Sequence, residues 1–214
     1  MDEALERCLR EFCQVDLYLC AGELSQDDSS YLIERQWMQR AVTSRKREFY
    51  SGRWLARQAL ERAGVPAQAL DRGPLGQPIW PDGVIGSITH GQHYGVAVVV
   101  PAGAIQGIGI DLLEDPTAVE RHIAHLIVQP DEESLLVDRF PGLPATAVAF
   151  CVKEAVVKAV SAHIGQFMDM RDILLMGSGP RIRARVNGFT TDLDCIVIET
   201  ELGLLSASFF RLQE

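Results

Sequence analysis

The stretch GIGIDLLE, residues 107–114, is the part of the sequence that most clearly indicates the fold. An apolar run ends in this stretch, which also contains two acidic residues. The apolar run from Ile105 to Leu113 predicts a buried strand. Asp111 closes that strand, and Glu114 follows three residues later. A carboxylate at a strand end can hold a hard cation such as Mg²⁺ or cap the next turn, and the sequence leaves both open. The glycines look like a dinucleotide-binding loop, but the third glycine and the strand–turn–helix context are missing.

A second segment, FCVKEAVVKAV at 150–160, lies in a run from about residue 145 to 164 that predicts a helix. On a helix, Glu154 and Lys158 are i,i+4 neighbours that share a face, whereas Lys153 points elsewhere. Taken alone, such a pair is typical of a surface salt bridge.

The order of the remaining elements predicts the architecture. Predicted helices span 29–40, 44–63 and 145–164, with shorter ones near 117 and after Pro130, and predicted strands span 15–20, 84–89, 94–100, 105–113, 181–186, 195–200 and 204–210. Each half of the chain therefore has a helix followed by strands. This order predicts an α+β fold of two similar lobes, each with a helix packed on a small antiparallel sheet.

Composition excludes several classes of protein. The 214 residues are 47% hydrophobic and 23% charged, which is typical of a globular protein and not of a disordered chain or a coiled coil. The longest uncharged apolar stretch, residues 95–105, is about half the roughly 20 residues that a membrane-spanning helix needs. The N-terminus lacks the apolar core of a secretory signal, and the five cysteines are scattered. We therefore expect a cytoplasmic protein without a membrane span.

The net charge of −9 argues against a nucleic-acid partner, because such proteins show a basic surplus. An anionic ligand would have to bind a local basic patch. The predicted helix at 44–63 supplies one with Arg45, Lys46, Arg47, Arg53 and Arg57.

The segment GSITHG, residues 86–91, ends a predicted strand with groups that can donate to phosphate oxygens, Thr89 and His90. A strand end with a solvated histidine explains the same residues. The i,i+3 pairs His90/His93 and His122/His125 allow a zinc site, but no HExxH motif or comparable ligand set accompanies them.

In this order and spacing, the segments resemble the 4′-phosphopantetheinyl transferases, most closely the two-lobed surfactin/enterobactin-synthetase type. The resemblance is carried by RKREFYSGRWLARQAL at 45–60, GQPIWPDGVIGSITHG at 76–91, GIGID at 107–111 and FCVKEAVVKAV at 150–160. It implies Mg²⁺-dependent transfer of the phosphopantetheine arm of coenzyme A to a serine of an apo acyl or peptidyl carrier protein, with release of adenosine 3′,5′-bisphosphate. It also implies an N-terminal lobe at 1–105, a C-terminal lobe at 106–214, an active site in the cleft between them, and a monomer.

The resemblance further implies a role for each candidate residue. Arg57 is expected to lie near the 3′-phosphate of coenzyme A, and Arg53 and Arg47 are expected to assist it. Thr89 and His90 are expected to contact the coenzyme A phosphates. The expected Mg²⁺ ligands are Asp111, Glu154 and Glu114. Lys158 is expected to stabilise the leaving phosphate, and Glu132 to act as general base for the carrier serine. Apart from the resemblance, a basic or apolar patch has to dock the acidic carrier, and our candidates for it are Arg121, Lys153 and the apolar residues of 112–128.

The chain departs from the family pattern at one metal position. Many two-lobed members have glutamate two residues after the aspartate, where this chain has Leu113. Glu114 follows one residue later and would face the other way on a regular strand, so ligation by Glu114 needs a bulge or a turn. Otherwise water replaces that ligand. The departure keeps a second hypothesis open, a non-catalytic module that binds coenzyme A and a carrier protein.

Overall fold

We describe a computed structural model of the chain, for residues 2–25, 27–119, 123–177 and 181–211. The predicted α+β class is confirmed: the chain divides into two compact units, residues 1–104 and 105–214, each built from helices and an antiparallel sheet. Within the described ranges, no helix has both the length and the apolarity that crossing a membrane requires. All five cysteines are free thiols.

The N-terminal unit places one long helix on a three-stranded sheet. Its helices are α1 (Asp2–Cys13), α2 (Leu32–Met38) and α3 (Thr43–Arg62), and its strands are β1 (Tyr18–Glu23), β2 (Val84–His90) and β3 (Tyr94–Pro101), in the sheet order β1-β3-β2. The central strand β3 is buried from residue 95 to 100, which explains its uninterrupted apolar sequence. The buried face of α3, with Leu55, Ala59 and Leu60, packs against this sheet.

The C-terminal unit repeats this plan with five strands. Its strands are β4 (Gly107–Leu113), β5 (Ile173–Met176), β6 (Ile182–Val186), β7 (Leu193–Thr200) and β8 (Gly203–Phe210), in the sheet order β4-β8-β7-β6-β5. Its helices are α4 (Ala124–Ile127), α5 (Pro130–Arg139) and α6 (Ala145–Ile164), with short 3₁₀ helices at Pro116–Ala118 and Met170–Asp172. Half of the residues of α6 are buried, so this helix forms the centre of the unit's core.

Two glycines let β4 lie directly against the backbone of α6. A Cβ atom at Gly109 would sit 1.9 Å from the carbonyl oxygen of Ala155, and one at Gly107 would sit 2.3 Å from that of Ala159. No side chain larger than hydrogen fits at either place. The glycines of the GIGID motif therefore serve helix–strand packing, which agrees with the rejection of a dinucleotide loop.

The structure differs from the sequence-based prediction at several elements. Helix α1 and the four-residue strand β5 were not predicted, and β1 begins three residues later than expected. Helix α2 begins at Leu32 instead of residue 29, because the Ser29 hydroxyl bonds the Glu34 carboxylate and the Tyr31 amide and so belongs to the turn before the helix.

Replacing Gly109 with alanine should unfold the C-terminal unit more easily, because the added methyl group has no room against Ala155. We expect a loss of about 3 kcal/mol in the free energy of unfolding. Gly22→Ala is the matched control, since a Cβ there meets only Leu55 at 3.6 Å. Urea denaturation of both variants measures the difference, and equal midpoints would contradict the close-packing explanation.

Candidate active site

The buried end of β4 and the middle of α6 bring three candidate residues together. Asp111 lies on β4 and is 8% exposed. The ammonium group of Lys158 on α6 donates to Asp111 Oδ1 at 2.6 Å and to the carbonyl oxygen of Ile110 at 3.0 Å. The side chain of Lys158 keeps 29% of its exposure, so this ion pair lies at the boundary between core and solvent.

Glu154 lies one helical turn before Lys158 on the same face of α6 and is half-buried. Burial raises the pKa of its carboxyl group; Lys158 opposes that rise, and the negative charge of Asp111 adds to it. The two carboxylates thus repel each other, and Lys158, which is hydrogen-bonded to Asp111, offsets part of that charge. A cation or a bound proton would relieve that repulsion.

Asp111 and Glu154 supply carboxylate oxygens, the type of ligand that Mg²⁺ takes in proteins. Mg²⁺ is held in proteins by one or two carboxylates together with water and substrate phosphates. Across the described ranges, no three or more His, Cys, Asp or Glu side chains are grouped to hold a metal. A metal at this place would therefore take its remaining ligands from water and from a phosphate-bearing substrate.

The end of β4 determines where Glu114 lies. Strand β4 ends at Leu113, whose side chain packs on the apolar core, and the chain bends at Glu114. The bend brings the Glu114 backbone against Gly203 at the start of β8. The turn that ligation by Glu114 would need is present, and its role as a ligand stays a prediction.

The thiol of Cys151 lies beside this cluster and is chemically inert. It contacts the carbonyl oxygen of Asp111 at 3.4 Å, and the Ser206 hydroxyl donates to the Cys151 carbonyl at 2.6 Å. Burial, reinforced by the charge of Asp111, raises the pKa of the thiol to about 12. Cys151 is therefore a packing residue and not a nucleophile, as the sequence indicated.

Glu132 and Lys153 form a buried ion pair. Both side chains are 0% exposed, and Lys153 Nζ donates to Glu132 Oε2 at 2.8 Å. Burial lowers the pKa of the Lys153 ammonium group, and Glu132 opposes that change. The sequence-based placement of Lys153 on a carrier-docking surface is wrong, because the side chain does not reach solvent. Arg121 lies outside the described residues.

The basic run of α3 meets the end of β2 in the N-terminal unit. Arg45 Nη1 lies 3.2 Å from His90 Nε2, and Arg47 donates to the carbonyl oxygen of Gln92 at 3.4 Å. Thr89 is buried beside them. The structure thus brings together the two segments that the sequence selected for phosphate binding.

The charge of Arg57 is compensated inside the protein. Its guanidinium donates to Glu34 Oε1 at 2.8 Å, and the Leu70 amide donates to the same oxygen at 3.2 Å. Glu34 is fully buried, and Tyr31 stacks on Arg57 at 5.0 Å. The expected contact between Arg57 and the 3′-phosphate stays a prediction. Sequence analysis missed Glu34, because 23 residues separate it from its partner and its neighbours carry no motif.

Arg53 keeps a donor available. It stacks on Phe49 at 4.1 Å and donates through Nε to the carbonyl oxygen of Leu70 at 3.2 Å. Burial lowers its pKa to about 10. Its Nη2 atom is buried and has no hydrogen-bond partner among the described residues. An anion on this face of α3 could accept that hydrogen bond.

No zinc site is formed by the histidines in the part of the chain that the structure describes. His90 faces Arg45 and lies 3.8 Å from the Glu48 carboxylate, so it belongs to the basic cluster of α3. His122 falls outside the described residues, which leaves the His122/His125 pair a prediction.

Comparison with known proteins identifies the family. The model of the 4'-phosphopantetheinyl transferase N-terminal domain matches residues 33–100, and that of the 4'-phosphopantetheinyl transferase superfamily matches residues 107–200. The chain belongs to the 4'-phosphopantetheinyl transferase superfamily, which confirms the resemblance seen in the sequence.

Two of the three relatives described next are named 4'-phosphopantetheinyl transferases. The chain is 34% identical over 137 residues to the 4'-phosphopantetheinyl transferase Npt of Nocardia iowensis, across 64% of this chain and 61% of that protein. It is 37% identical over 121 residues to PptT of Mycobacterium tuberculosis, across 56% and 53%. It is 33% identical over 148 residues to enterobactin synthase component D of Salmonella typhi, across 67% and 60%. The matches thus span between half and two thirds of these relatives' own lengths.

Among solved structures, a holo-[acyl-carrier-protein] synthase of Thermotoga maritima matches with a TM-score of 0.41 and 22% identity, over 51% of this chain and 65% of that chain. A likeness this weak bears on neither the fold nor the function.

Replacing Glu154 with glutamine should stabilise the protein at neutral pH. The pKa of Glu154 in the folded state lies above its ordinary value of 4.5, so the folded state holds this proton more tightly than the unfolded state does. The free energy of unfolding therefore falls as the pH rises from about 4.5 through the folded-state pKa of Glu154. Glutamine does not ionise, so the variant does not lose this stability. Urea unfolding at pH 4 and pH 8 measures the effect. Glu133→Gln, at an exposed position of α5, is the control. If the Glu154→Gln protein were less stable than wild type at pH 8, the raised pKa of Glu154 would be refuted.

Proposed function

We propose that this protein transfers the 4′-phosphopantetheine arm of coenzyme A to a serine of an apo acyl or peptidyl carrier protein and releases adenosine 3′,5′-bisphosphate. The observation that carries the proposal is the cluster of Asp111, Glu154 and Lys158 in a chain of this superfamily. Two carboxylates and an ammonium group are what phosphoryl chemistry on a diphosphate requires. The free thiols support the expectation of a cytoplasmic location.

In the proposed reaction, the serine oxygen bonds to the phosphorus that carries pantetheine, and the bond from that phosphorus to the bridging oxygen breaks. Negative charge then develops on the bridging oxygen. Lys158 is the cation available on the solvent side of the cluster, and it would stabilise that oxygen. Asp111 and Glu154 would hold Mg²⁺, which when bound neutralises diphosphate charge. The serine hydroxyl gives up its proton to a base, for which the resemblance implied Glu132, and the place of the site between the two lobes stays a prediction.

Coenzyme A carries several phosphate charges, and the protein carries a net charge of −9, so binding needs a local basic surface. The cluster of α3 and the β2 end provides it, with the unsatisfied Nη2 of Arg53 as its most specific donor. Arg47, Thr89 and His90 keep their proposed contacts with the phosphates.

One observation supports a second candidate function, that of a non-catalytic module that binds coenzyme A and a carrier protein. Leu113 stands where many two-lobed members have a metal-binding glutamate, and its side chain packs on the apolar core. Such a module would bind coenzyme A without modifying a carrier.

The two candidates are separated by the intact mass of an apo carrier protein incubated with this protein, coenzyme A and Mg²⁺. A siderophore-type peptidyl carrier and an acyl carrier are both included, because one relative is an enterobactin synthase component. We expect a gain of one phosphopantetheine group that disappears with EDTA. Binding of coenzyme A with no gain on either carrier would favour the module.

Lys158→Ala should lower kcat about 100-fold, the usual loss when one donor to a developing oxyanion is removed. The KM for coenzyme A should change much less, because Lys158 is proposed to act mainly as charge develops. Arg183→Ala is the control, since this exposed arginine pairs with Asp192 outside the cluster. A loss confined to KM would assign Lys158 to substrate binding instead.

A further inference from the structure

Lys153, the residue before Glu154, is anchored at two points inside the C-terminal unit. Its ammonium group donates to Glu132 Oε2 at 2.8 Å and to the carbonyl oxygen of Ile127 at 2.6 Å. Ile127 is the last residue of α4, where a carbonyl group has no partner within its own helix. The lysine of α6 thus caps α4 and neutralises an acid of α5.

Both oxygens of the Glu132 carboxylate accept hydrogen bonds. Besides Lys153, its Oε2 accepts the backbone amide of Gln129 at 2.7 Å, in the capping box of α5. Its Oε1 accepts the backbone amide of Leu175 on β5 at 2.6 Å. One buried acid therefore ties α5, β5 and α6 together.

These contacts leave Glu132 badly suited to take a proton from a carrier serine. Both oxygens are occupied, and the side chain is 0% exposed. The hydrogen bonds of Glu132 therefore indicate a structural role for its carboxylate.

The two hydrogen bonds of Lys153 affect how α6 is rotated about its own axis. Apolar packing is not directional, so it tolerates small rotations of a helix whose surface is apolar on most sides. The two fixed contacts of Lys153 set that rotation. Because neighbouring helical residues lie about 100° apart, fixing Lys153 also fixes the direction of Glu154 and, one turn later, of Lys158.

We infer that the Lys153–Glu132 pair is a positioning device, which holds α6 so that Glu154 and Lys158 face Asp111, and that Glu132 carries no proton in the reaction. The catalytic part of this inference rests on the proposed function. The positional part concerns the fold alone and can be tested without activity.

The positional test uses the lysine content of the chain, which is only Lys46, Lys153 and Lys158. In protein labelled with ¹⁵N-lysine, ammonium signals from at most three side chains are expected, and the Lys153→Met and Lys158→Ala variants assign two of them. Lys153→Met should weaken or shift the signal of Lys158, because the contact with Asp111 is loosened, whereas Glu133→Gln should leave it in place. An unchanged Lys158 signal in folded Lys153→Met would overturn the inference.

The catalytic test compares two variants with wild type on an apo carrier. Glutamine at position 132 keeps an oxygen that can accept from Lys153 or Leu175, so Glu132→Gln should retain at least about a tenth of kcat. Lys153→Met should lose about 100-fold in kcat with little change in the KM for coenzyme A, the size expected for misplaced catalytic groups. A loss of about 10²–10⁴-fold in Glu132→Gln with its Lys158 signal intact would identify Glu132 as a general base and overturn the inference.

The double variant Glu132→Gln/Lys153→Met covers the case in which Lys153→Met alone does not fold. It removes both charges and keeps an acceptor for Leu175, so it should fold and should show the same displaced Lys158 signal. If wild-type protein transfers nothing to either carrier, the proposed function fails while the spectra still decide the positional inference.

Discussion

The close approach of β4 to α6 is the constraint on which the candidate site depends. With hydrogen at Gly107 and Gly109, the strand backbone reaches the helix backbone, and the residues that follow are held at a fixed distance from α6. Asp111 then falls within hydrogen-bond distance of Lys158. A larger residue at either glycine would push strand and helix apart. The Asp111 carboxylate and the Lys158 ammonium group would then be too far apart for a hydrogen bond, even though neither residue had been changed.

Three of the ion pairs among the described residues involve candidate site residues and have different roles. Arg57–Glu34 and Lys153–Glu132 are buried almost completely, and each also satisfies backbone groups of neighbouring elements. Such pairs contribute to stability only when further hydrogen bonds compensate for the loss of hydration. Lys158–Asp111 is partly open to solvent, and Glu154 beside it carries a raised pKa. Only this third pair has the exposure and the unrelieved charge that substrate binding can use.

Much of the fold could be predicted, because strong apolar patterns mark the long elements. The helices at 43–62 and 145–164 and the strands around GIGID and GSITHG all lie where the sequence indicated. The four-residue strand β5 gives too short a pattern, and the partners Glu34–Arg57 and Glu132–Lys153 are more than 20 residues apart. One signal was available: a lysine among the apolar residues of α6 has to find an acid, since a buried ammonium group is costly.

The burial of Lys153 also has a practical consequence for handling the protein. Amine-reactive dyes and coupling resins modify lysines whose ammonium groups reach solvent and can lose a proton. Lys153 is shielded by the core and Lys158 is engaged by Asp111, so among the three lysine side chains Lys46 on α3 is the most accessible to such reagents. Among the lysines, labelling at low reagent excess would therefore favour Lys46 in the basic run of α3 over Lys158 in the carboxylate cluster.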